Sequence, residues 1–221
     1  MSLHIVSTPI GNLGDVTSRA VETLKNADLV LAEDTRRTGN LLKHLDLHKS
    51  MSSFNEHNCR HKTKYVIEML KQGKEVALVS DCGTPGISDP GFILVRECVS
   101  AGVNIIPVPG PTAFVSALVC SGLPTDKFTF YGFLPKKEGK RKDMLLEIKQ
   151  RNETAIVYAS PYRVVKDLDA IKQILPSHPV VVARELTKKF EEFIRGTASE
   201  ILEKIGTKEV KGEIVLLIGK I

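Results

Sequence analysis

Runs of aliphatic and β-branched residues alternate with amphipathic segments of helical length, and this alternation constrains the fold more than any other feature of the chain. The pattern begins as strand, helix, strand, helix in "LHIVS", "TSRAVETLKNA", "DLVLAE" and "TRRTGNLLKHLD". It continues through "HKTKYVIEMLKQG", "EVALVS", "GFILVRECVSAG", "NIIPVP", "PTAFVSALVCSG" and "KFTFYG". Because a helical crossover places successive strands parallel, the pattern predicts an α/β domain with a mostly parallel N-terminal sheet over residues 1–133.

The style of the sequence changes after "FYGFLP". The basic segment "KKEGKRK" is typical of a linker or an exposed loop, and the helix "DMLLEIKQR" and the strand "TAIVYA" follow it. Ser160 and Pro161 predict a helix start, and Thr197 with Glu200 predicts a capping box. Between them, "PVVVARE" and "FEEFIRG" form a predicted hairpin, and "EIVLLIG" is a last strand. Residues 134–221 are therefore expected to form a smaller, mixed α/β domain.

The composition is that of an ordinary soluble globular protein, with 42% hydrophobic and 26% charged residues in a chain of 221. The first residues resemble a strand more than a leader, and the longest apolar stretches are too short to span a bilayer. We therefore expect a cytoplasmic protein that does not enter a membrane. The four cysteines form no C-x-x-C pair and are expected to be reduced thiols. A net charge of +5 suits a polyanionic partner but is modest for a surface of this size.

Loops rich in glycine and proline follow the strands of the first half. They are "STPIGNLGDV", "SDCGTPGISDPG" and "VPGPTA". Ligands of open parallel sheets bind beyond the carboxyl ends of the strands, and rigid loops of this composition offer main-chain groups to a ligand. Glycine and proline also mark ordinary tight turns, so each loop alone is ambiguous, whereas three such loops at corresponding strand ends favour a binding site.

Phosphate-binding signatures are missing from these loops. "GNLGDVT" lacks the G-K-[ST] of a P-loop, and no G-x-G-x-x-G follows the first strand. The ligand is therefore not expected to be held by its phosphates. Asp81 and Asp89 could instead contact a ribose, an amine or a sulfonium, or could simply form turns.

Eight motifs in order along the chain resemble those of the ribosomal RNA small subunit methyltransferase I family, which lies in the tetrapyrrole methylase superfamily. They are "STPIGNLGD", "AEDTRRTGNLL", "SDCGTPGISDPG", "VPGPTA", "FYGFLP", "YASPYR", "ARELTKKFEE" and "KGEIVLLIG". The resemblance implies a two-domain tetrapyrrole-methylase-like α/β fold, S-adenosylmethionine bound in a cleft between the domains, and a homodimer. It further implies 2′-O-methylation of a cytidine in small ribosomal subunit RNA. Family members usually continue into a small extra C-terminal domain, so this sequence is expected to be a short form.

The resemblance also assigns residues to the methyl donor. From the first half these are Pro9, Asp81, Thr84, Ile87 and Ser88, with Ser116 and Ala117 behind the third loop. From the second half they are Tyr158, Ala159, Ser160, Ala183, Arg184 and Glu185. No metal is required, because a sulfonium already activates the methyl group. Loss of the acceptor's proton requires a base, for which the candidates are Glu33, Asp34 and Asp81.

Two basic segments are candidates for contacts with RNA. Arg36 and Arg37 in "AEDTRRTG" could fork onto phosphates, or could form surface ion pairs with Glu33 and Asp34. "KKEGKRK" supplies Lys136, Lys137, Lys140, Arg141 and Lys142, which could attract a polyanion or form a solvated linker.

Other interpretations remain open at this level. His57, Cys59 and His61 have spacing compatible with a zinc site, although capping or solvent-facing histidines are commoner. Cys82 could be imagined as a nucleophile, but a small buried filler is the simpler interpretation. The aromatic residues are scattered along the sequence, which argues against a module that only stacks on bases. Alternative functions are methylation of a tetrapyrrole precursor or of a protein, or binding of the methyl donor without catalysis by a ribosome-associated module.

Overall fold

The computed structural model describes residues 2–206 and 209–221. The chain divides into two compact units, the first ending at Thr112 and the second beginning at Ala113. Met1, Thr207 and Lys208, which fall within the domain bounds expected from the sequence, lie outside the described residues. No helix in the described ranges is both long and apolar enough to cross a membrane.

The first unit is built on a five-stranded, all-parallel sheet. In chain order its elements are β1 (Ser2–Val6), α1 (Ser18–Asn26), β2 (Leu29–Ala32), α2 (Thr35–His44), β3 (Met51–Ser53), α3 (Cys59–Lys71), β4 (Glu75–Val79), α4 (Gly91–Ser100) and β5 (Asn104–Val108). The strand order is β3-β2-β4-β1-β5, and a short 3-10 turn at Leu13–Asp15 precedes α1. This confirms the mostly parallel N-terminal sheet.

Helices cover both faces of this sheet because its strands are apolar on both faces. In β4, Val76 and Leu78 pack in one cluster with residues of α3 and α4, whereas Ala77 and Val79 pack in another with residues of α1 and α2. A strand alternates its side chains between faces, so a continuous apolar run such as "EVALV" requires a helical layer on each side. The polar loops are thereby confined to the ends of the strands.

The second unit contains a mixed five-stranded sheet in the order β6-β7-β10-β8-β9. In chain order its elements are α5 (Ala113–Ser121), β6 (Phe128–Phe133), α6 (Glu138–Arg151), β7 (Thr154–Ala159), α7 (Val164–Ile174), β8 (Val180–Arg184), β9 (Glu192–Gly196), α8 (Ala198–Ile205) and β10 (Ile214–Ile218). The β6–β7 pair is parallel and the other pairs are antiparallel. The predicted hairpin and the predicted capping box at Thr197 and Glu200 are both present.

The division of the chain falls earlier than the expected boundary after Phe133. β6 pairs with β7, and α5 packs against β7, β8 and β10, so both elements belong to the second unit. That unit is consequently close to the first in length. Sequence periodicity identified α5 and β6 correctly, but it carries no information on which sheet a strand will join.

Two local predictions in the second half were wrong. The helix α6 begins at Glu138, inside the basic segment that was expected to be a linker or a loop. Ser160 does not cap a helix, because α7 begins only at Val164. The Ser160 carbonyl instead accepts hydrogen bonds from the Arg163 and Val164 N–H groups, which closes a turn before the helix starts.

Candidate functional site

The carboxyl edge of the first sheet collects the loops that follow β1, β2, β4 and β5, and two of them are joined through their backbones. The Thr8 N–H donates to the Gly83 carbonyl at 2.9 Å, and the Gly83 N–H donates to the Thr8 carbonyl at 3.0 Å. Gly83 has φ +80°, a conformation that glycine adopts without strain. The glycine- and proline-rich loop after β4 is therefore fixed to the loop after β1.

Three hydroxyl groups connect the loops after β1, β4 and β5. The Thr84 Oγ1 atom lies 2.9 Å from the Ser7 Oγ atom and 2.7 Å from the Thr112 Oγ1 atom. Only Thr84 was singled out from the sequence. The recurring signal was a hydroxyl residue beside proline in each loop, in "STP", "GTP" and "GPT".

The loop after β5 approaches β1 closely at Gly110. A Cβ atom at this position would lie 3.0 Å from the Ser7 Cβ atom, which is tighter than normal packing allows. Glycine at this position therefore allows the loop after β5 to pack closely against Ser7.

Reciprocal hydrogen bonds join the acids after β2 to Asp81 after β4. The Asp81 N–H donates to the Glu33 Oε2 atom at 3.3 Å, and the Asp34 N–H donates to the Asp81 Oδ1 atom at 3.0 Å. The Asp81 Oδ2 atom also lies 3.5 Å from the Arg37 Nε atom. Since β2 and β4 are neighbouring parallel strands, their ends bring together acids that are far apart in sequence. The structure thus unites the three candidate bases at one edge.

The electrostatic environments of these acids differ. Asp34 caps α2 and forms an ion pair with Arg36 at 2.7 Å, and the hydrogen bonds from Arg36 lower the pKa of Asp34 to about 2. Burial raises the pKa of Glu33, an effect that the hydrogen bond from Asp81 opposes and the negative charge of Asp81 reinforces. Of these two, Glu33 is the better proton acceptor near neutral pH. The surface ion pair anticipated for Arg36 is present.

Asp89 is used by its own loop. Its carboxylate accepts hydrogen bonds from the Gly86 and Gly91 N–H groups, all at 2.8 Å. Burial raises the pKa of Asp89, and these hydrogen bonds oppose the rise. Asp89 was expected either to contact a ligand or to form a turn, and this geometry fits a turn former. Ile87 and Ser88 lie at the tip of the turn and are exposed. Pro9 is half-buried in the loop after β1.

In the second unit, the candidate residues after β7 and β8 share one edge of the sheet. Both strands are antiparallel to β10, and both Ala159 and Arg184 pair with Ile214. Tyr158, Ser160 and Glu185 flank these positions in the chain. Two segments selected only by resemblance to a family thus finish at the same end of the sheet, on either side of β10.

A network of charges shapes the end of β8. The Glu185 Oε1 atom accepts hydrogen bonds from the Glu213 N–H and from the Lys188 ammonium group, each at 2.9 Å, and these interactions lower the pKa of Glu185. Glu185 has φ 51°, a strained conformation for a residue with a side chain. Arg184 pairs with Glu192 at 3.1 Å and donates to the Lys211 carbonyl.

The alanines assigned from the family are buried within this unit. Ala117 on α5 and Ala183 in β8 have 0% exposed surface, and Ala159 has 6%. Ser116 is half-buried beside Ala117. Little of the surface of these alanines is exposed, and Ala159 packs in the core cluster that contains residues of α6, α7 and α8.

The aromatic residues are less scattered than the sequence indicated. Phe114 stacks on Phe130 with 4.7 Å between ring centroids, and Tyr158 meets Phe130 and Phe133 edge-on at 4.9 and 5.8 Å. The cluster was missed because α5, β6 and β7 supply its members from separate parts of the chain.

The basic segment at the start of α6 is not uniform. Lys136, Lys137, Lys140 and Lys142 are exposed, whereas the Arg141 side chain is only 13% exposed. The Arg141 Nη1 atom donates to the Pro135 and Lys136 carbonyls, each at 3.3 Å. The lysines face solvent, and Arg141 is occupied with the backbone that carries two of them.

The zinc alternative finds no geometric support. Within the two described ranges, no group of three or more His, Cys, Asp and Glu side chains could hold a metal ion. Cys59 is buried in the first core, and its thiol lies 3.7 Å from the Glu56 carbonyl. The expectation that Cys82 is buried was wrong, because Cys82 is exposed in the loop after β4.

Comparisons with known proteins identify the family. The model of the tetrapyrrole (corrin/porphyrin) methylases matches residues 2–202. A protein of Thermotoga maritima named ribosomal RNA small subunit methyltransferase I is 47% identical over 99% of this chain and 98% of its own length. A protein of the same name from Halalkalibacterium halodurans is 46% identical over 98% of this chain and 75% of its own length. The chain belongs to the ribosomal RNA small subunit methyltransferase I family. The chain spans about three quarters of the length of the Halalkalibacterium relative and nearly all of the Thermotoga relative.

Solved structures show the same fold at lower identity. Cobalt precorrin-4 methyltransferase, a cobalamin biosynthetic enzyme, is 19% identical with a TM-score of 0.73 over 99% of this chain and 94% of that chain. Native uroporphyrin III C-methyl transferase from Thermus thermophilus is 18% identical with a TM-score of 0.68 over 99% and 97% of the two chains. The α/β architecture of the family is therefore shared with enzymes that act on tetrapyrroles.

Proposed function

We propose that this protein transfers a methyl group from S-adenosylmethionine to the 2′-hydroxyl of a cytidine in small-subunit ribosomal RNA. The observation that supports this proposal most directly is the cluster of Glu33, Asp34 and Asp81 at the carboxyl edge of a parallel sheet. It occurs in a chain that shares 46–47% identity with relatives named for this RNA. Relatives named for tetrapyrroles are below 25% identity and support the fold alone.

The first unit's edge suits the charge of the methyl donor. S-Adenosylmethionine supplies a methyl group activated by a sulfonium, and both its sulfonium and its amino group are cationic. Asp81 presents a carboxylate at this edge, and the hydroxyl groups around Thr84 offer hydrogen bonds. Pro9, Ile87 and Ser88 lie in the same loops and would contact the methyl donor. From the second unit the proposal includes Ser116, Ala117, Tyr158, Ala159, Ser160, Ala183, Arg184 and Glu185.

Glu33 is the proposed general base. S-Adenosylmethionine, when bound, would supply the activated methyl group, and the Glu33 carboxylate would take the proton that the 2′-hydroxyl loses. Its raised pKa suits this task, because a base is most effective when its pKa approaches the working pH. Asp34 is held ionised by Arg36 and would accept a proton poorly. Asp81 accepts a hydrogen bond from the Asp34 N–H and pairs with Arg37, so it is suited to orient these two residues.

Exposed cations would hold the RNA. Arg36 and Arg37 have side chains 89% and 62% exposed and retain donor groups for phosphate. Lys136, Lys137, Lys140 and Lys142 add a second basic region, and Arg141 supports its backbone. The proposal also includes a cytoplasmic homodimer, which analytical ultracentrifugation would test.

The decisive experiment uses methyl-labelled S-adenosylmethionine and small ribosomal subunits from cells that lack the equivalent enzyme. After incubation, the RNA is digested and the labelled nucleosides are identified. Labelled 2′-O-methylcytidine is the expected product. A label on another nucleoside would overturn the proposed position, and a protein that binds the methyl donor but labels no RNA would overturn the proposed substrate.

Two variants connect the product to the site. Glu33→Gln should abolish most of the transfer while S-adenosylmethionine still binds in calorimetry. Asp81→Asn should weaken that binding. Glu203→Gln, which changes an exposed acid on α8, is the matched control and should leave both measurements unchanged. Tetrapyrrole precursors added in place of ribosomal subunits would test the alternative substrate.

A further inference from the structure

An exposed aromatic and basic surface lies at the start of α6 and before α7. We call it the Tyr162 surface, and its members are Phe133, Lys136, Lys137, Lys140, Lys142 and Tyr162. Tyr162 is 87% exposed, the highest value among the large apolar side chains of residues 2–206 and 209–221, and Phe133 is 57% exposed. Burial of such rings stabilises a fold, so a tyrosine held out in solvent calls for an explanation.

A buried ion cluster holds the two parts of this surface together. The Arg163 guanidinium, next to Tyr162 in the chain, donates to the Leu134 carbonyl at 3.4 Å and to the Pro135 carbonyl at 3.1 Å. It also pairs with Asp167 at 3.4 Å, and the Asp167 side chain is only 4% exposed. Arg163 therefore ties the turn that carries Tyr162 to the segment between Phe133 and Lys136.

Arg141 completes this cluster from the other side. Its Nε atom lies 3.9 Å from the Asp167 carboxylate, and its Nη1 atom binds the Pro135 and Lys136 carbonyls. The backbone before α6 is thus held by two arginines that share one buried acid. The exposed lysines and Tyr162 are consequently attached to backbone that these two arginines hold in place.

The local charges favour an anionic partner. Four exposed lysines crowd the N-terminal end of α6, where the positive end of the helix dipole already disfavours cations. Glu138 and Asp143 are the acids of the same segment, so an excess of positive charge remains. An exposed tyrosine beside such charges matches the pattern of proteins that bind single-stranded nucleic acid, in which lysines follow phosphates and aromatic rings stack on bases.

We propose that the Tyr162 surface binds a single-stranded segment of RNA, with Tyr162 stacked on an unpaired base and the lysines on flanking phosphates. The inference rests on the proposed function and adds a location and a conformation for the substrate. A duplex keeps its bases stacked inside, so a protruding ring has no base face to contact there. Tyr162 lies two residues beyond Ser160, which the proposed function assigns to the methyl donor.

The test measures fluorescence anisotropy with a short fluorescein-labelled single-stranded RNA of mixed sequence, and with the same strand annealed to its complement. Tyr162→Ala should weaken single-strand binding by about 5- to 100-fold. Tyr162→Trp should restore it, and binding to the duplex should change little. The matched control is Tyr65→Ala, because Tyr65 is a 59% exposed tyrosine on α3.

A second measurement separates stacking from charge. The double variant Lys136→Gln/Lys137→Gln should make the negative slope of log affinity against log salt shallower by about 1.4, or 0.7 for each phosphate contact. Tyr162→Ala should leave this slope unchanged. The control pair Lys64→Gln/Lys71→Gln, exposed on α3, should leave both the affinity and the slope as in the wild type.

The outcomes separate this inference from the proposed function. If the wild type methylates ribosomal RNA and Tyr162→Ala binds the single strand as well as the wild type does, the surface is wrong and the function stands. A change of oligomeric state in Tyr162→Ala, seen by analytical ultracentrifugation, would make the surface a protein interface and overturn the inference. A wild type that neither binds nor methylates RNA would overturn both.

Discussion

The protein contains two clusters of acids and arginines that use the same groups in opposite ways. In the first unit, Asp34 pairs with Arg36, whose side chain is 89% exposed, and Asp81 lies near Arg37 with 62% exposed. In the second unit, the 4% exposed Asp167 lies between Arg141 and Arg163, which are 13% and 25% exposed. The first cluster exposes its arginine side chains to solvent. In the second cluster, both arginines donate hydrogen bonds to backbone carbonyls.

The difference teaches how burial assigns a role to a charged group. An exposed pair is screened by water and contributes little to stability, so its charges remain available for a ligand. A buried acid between two arginines must keep its partners, because an unpaired charge in the interior is costly. The first cluster is accordingly suited to binding and catalysis, and the second to holding the segment before α6.

The largest effect on stability is expected for Asp167→Ala. Removal of this acid leaves Arg141 and Arg163 without their shared counter-ion, and the free energy of unfolding should fall by about 3 kcal/mol. Urea unfolding would measure the change. Asp143→Ala, which removes an exposed acid from α6, should change it by less than about 0.5 kcal/mol. Equal effects of the two variants would contradict the assignment of burial as the deciding factor.

Glu33→Gln should have the complementary profile, with a large effect on rate and a small one on stability. Loss of the proposed base should slow single-turnover methyl transfer by about 100-fold or more. Because burial raises the pKa of Glu33, its ionised form is disfavoured in the fold, and the neutral glutamine should not reduce stability. The wild-type rate should rise as the pH rises through the pKa of Glu33. A normal rate in Glu33→Gln would reject it as the base.

Gly110→Ala tests the close contact of loops at the edge of the first sheet. The added Cβ would lie 3.0 Å from the Ser7 Cβ, so the free energy of unfolding should fall by about 1–2 kcal/mol. Gly139→Ala is the matched control, since its Cβ meets no atom within 4 Å and it lies on the exposed side of α6. That change should stabilise the protein by about 0.5–1 kcal/mol. Thermal melts would reveal whether the two shifts have opposite signs.

The smallest effect concerns the pH dependence of Asp34. Its pKa is lowered from the ordinary 3.8 to about 2, so its contribution to stability is complete above pH 3.8 and is lost as the pH falls toward 2. The stability difference between wild type and Asp34→Asn should be constant from pH 7 to about pH 4 and should then shrink. Unfolding midpoints measured across this range would check it, and a constant difference down to pH 2 would show that Asp34 is not held ionised.

Much of the fold was predictable from local patterns. The continuous apolar run of β4 and the amphipathic helices around it predicted a covered parallel sheet, and Thr197 with Glu200 predicted the start of α8 correctly. β3 was missed because it spans only Met51–Ser53 at the sheet's edge, where its residues are not buried and carry no apolar alternation. Ser160 was misjudged because a hydrogen-bonded turn and a helix start share the same residue preferences.

The candidate site was predictable only as a set of residue types in loops. "AED" and "SDCG" could each be recognised as loops after strands, and the need for a base that takes the acceptor's proton made Glu33, Asp34 and Asp81 candidates. Which backbone N–H each carboxylate would accept depends on the register of β2 against β4. Likewise, Arg141 was grouped with its neighbouring lysines, because the sequence does not show that the Asp167 carboxylate on α7 lies near the Arg141 guanidinium.

The sequence by itself determined the alternation of strands and helices, the positions of the loops and the family, because periodicity and motifs are properties of neighbouring residues. The tertiary structure decided that β6 joins the second sheet, that Asp167 is buried between two arginines and that Tyr162 remains exposed. These outcomes depend on contacts between segments far apart in the chain. Their energies come from burial and from pairing, and neither exists until the sheets have formed.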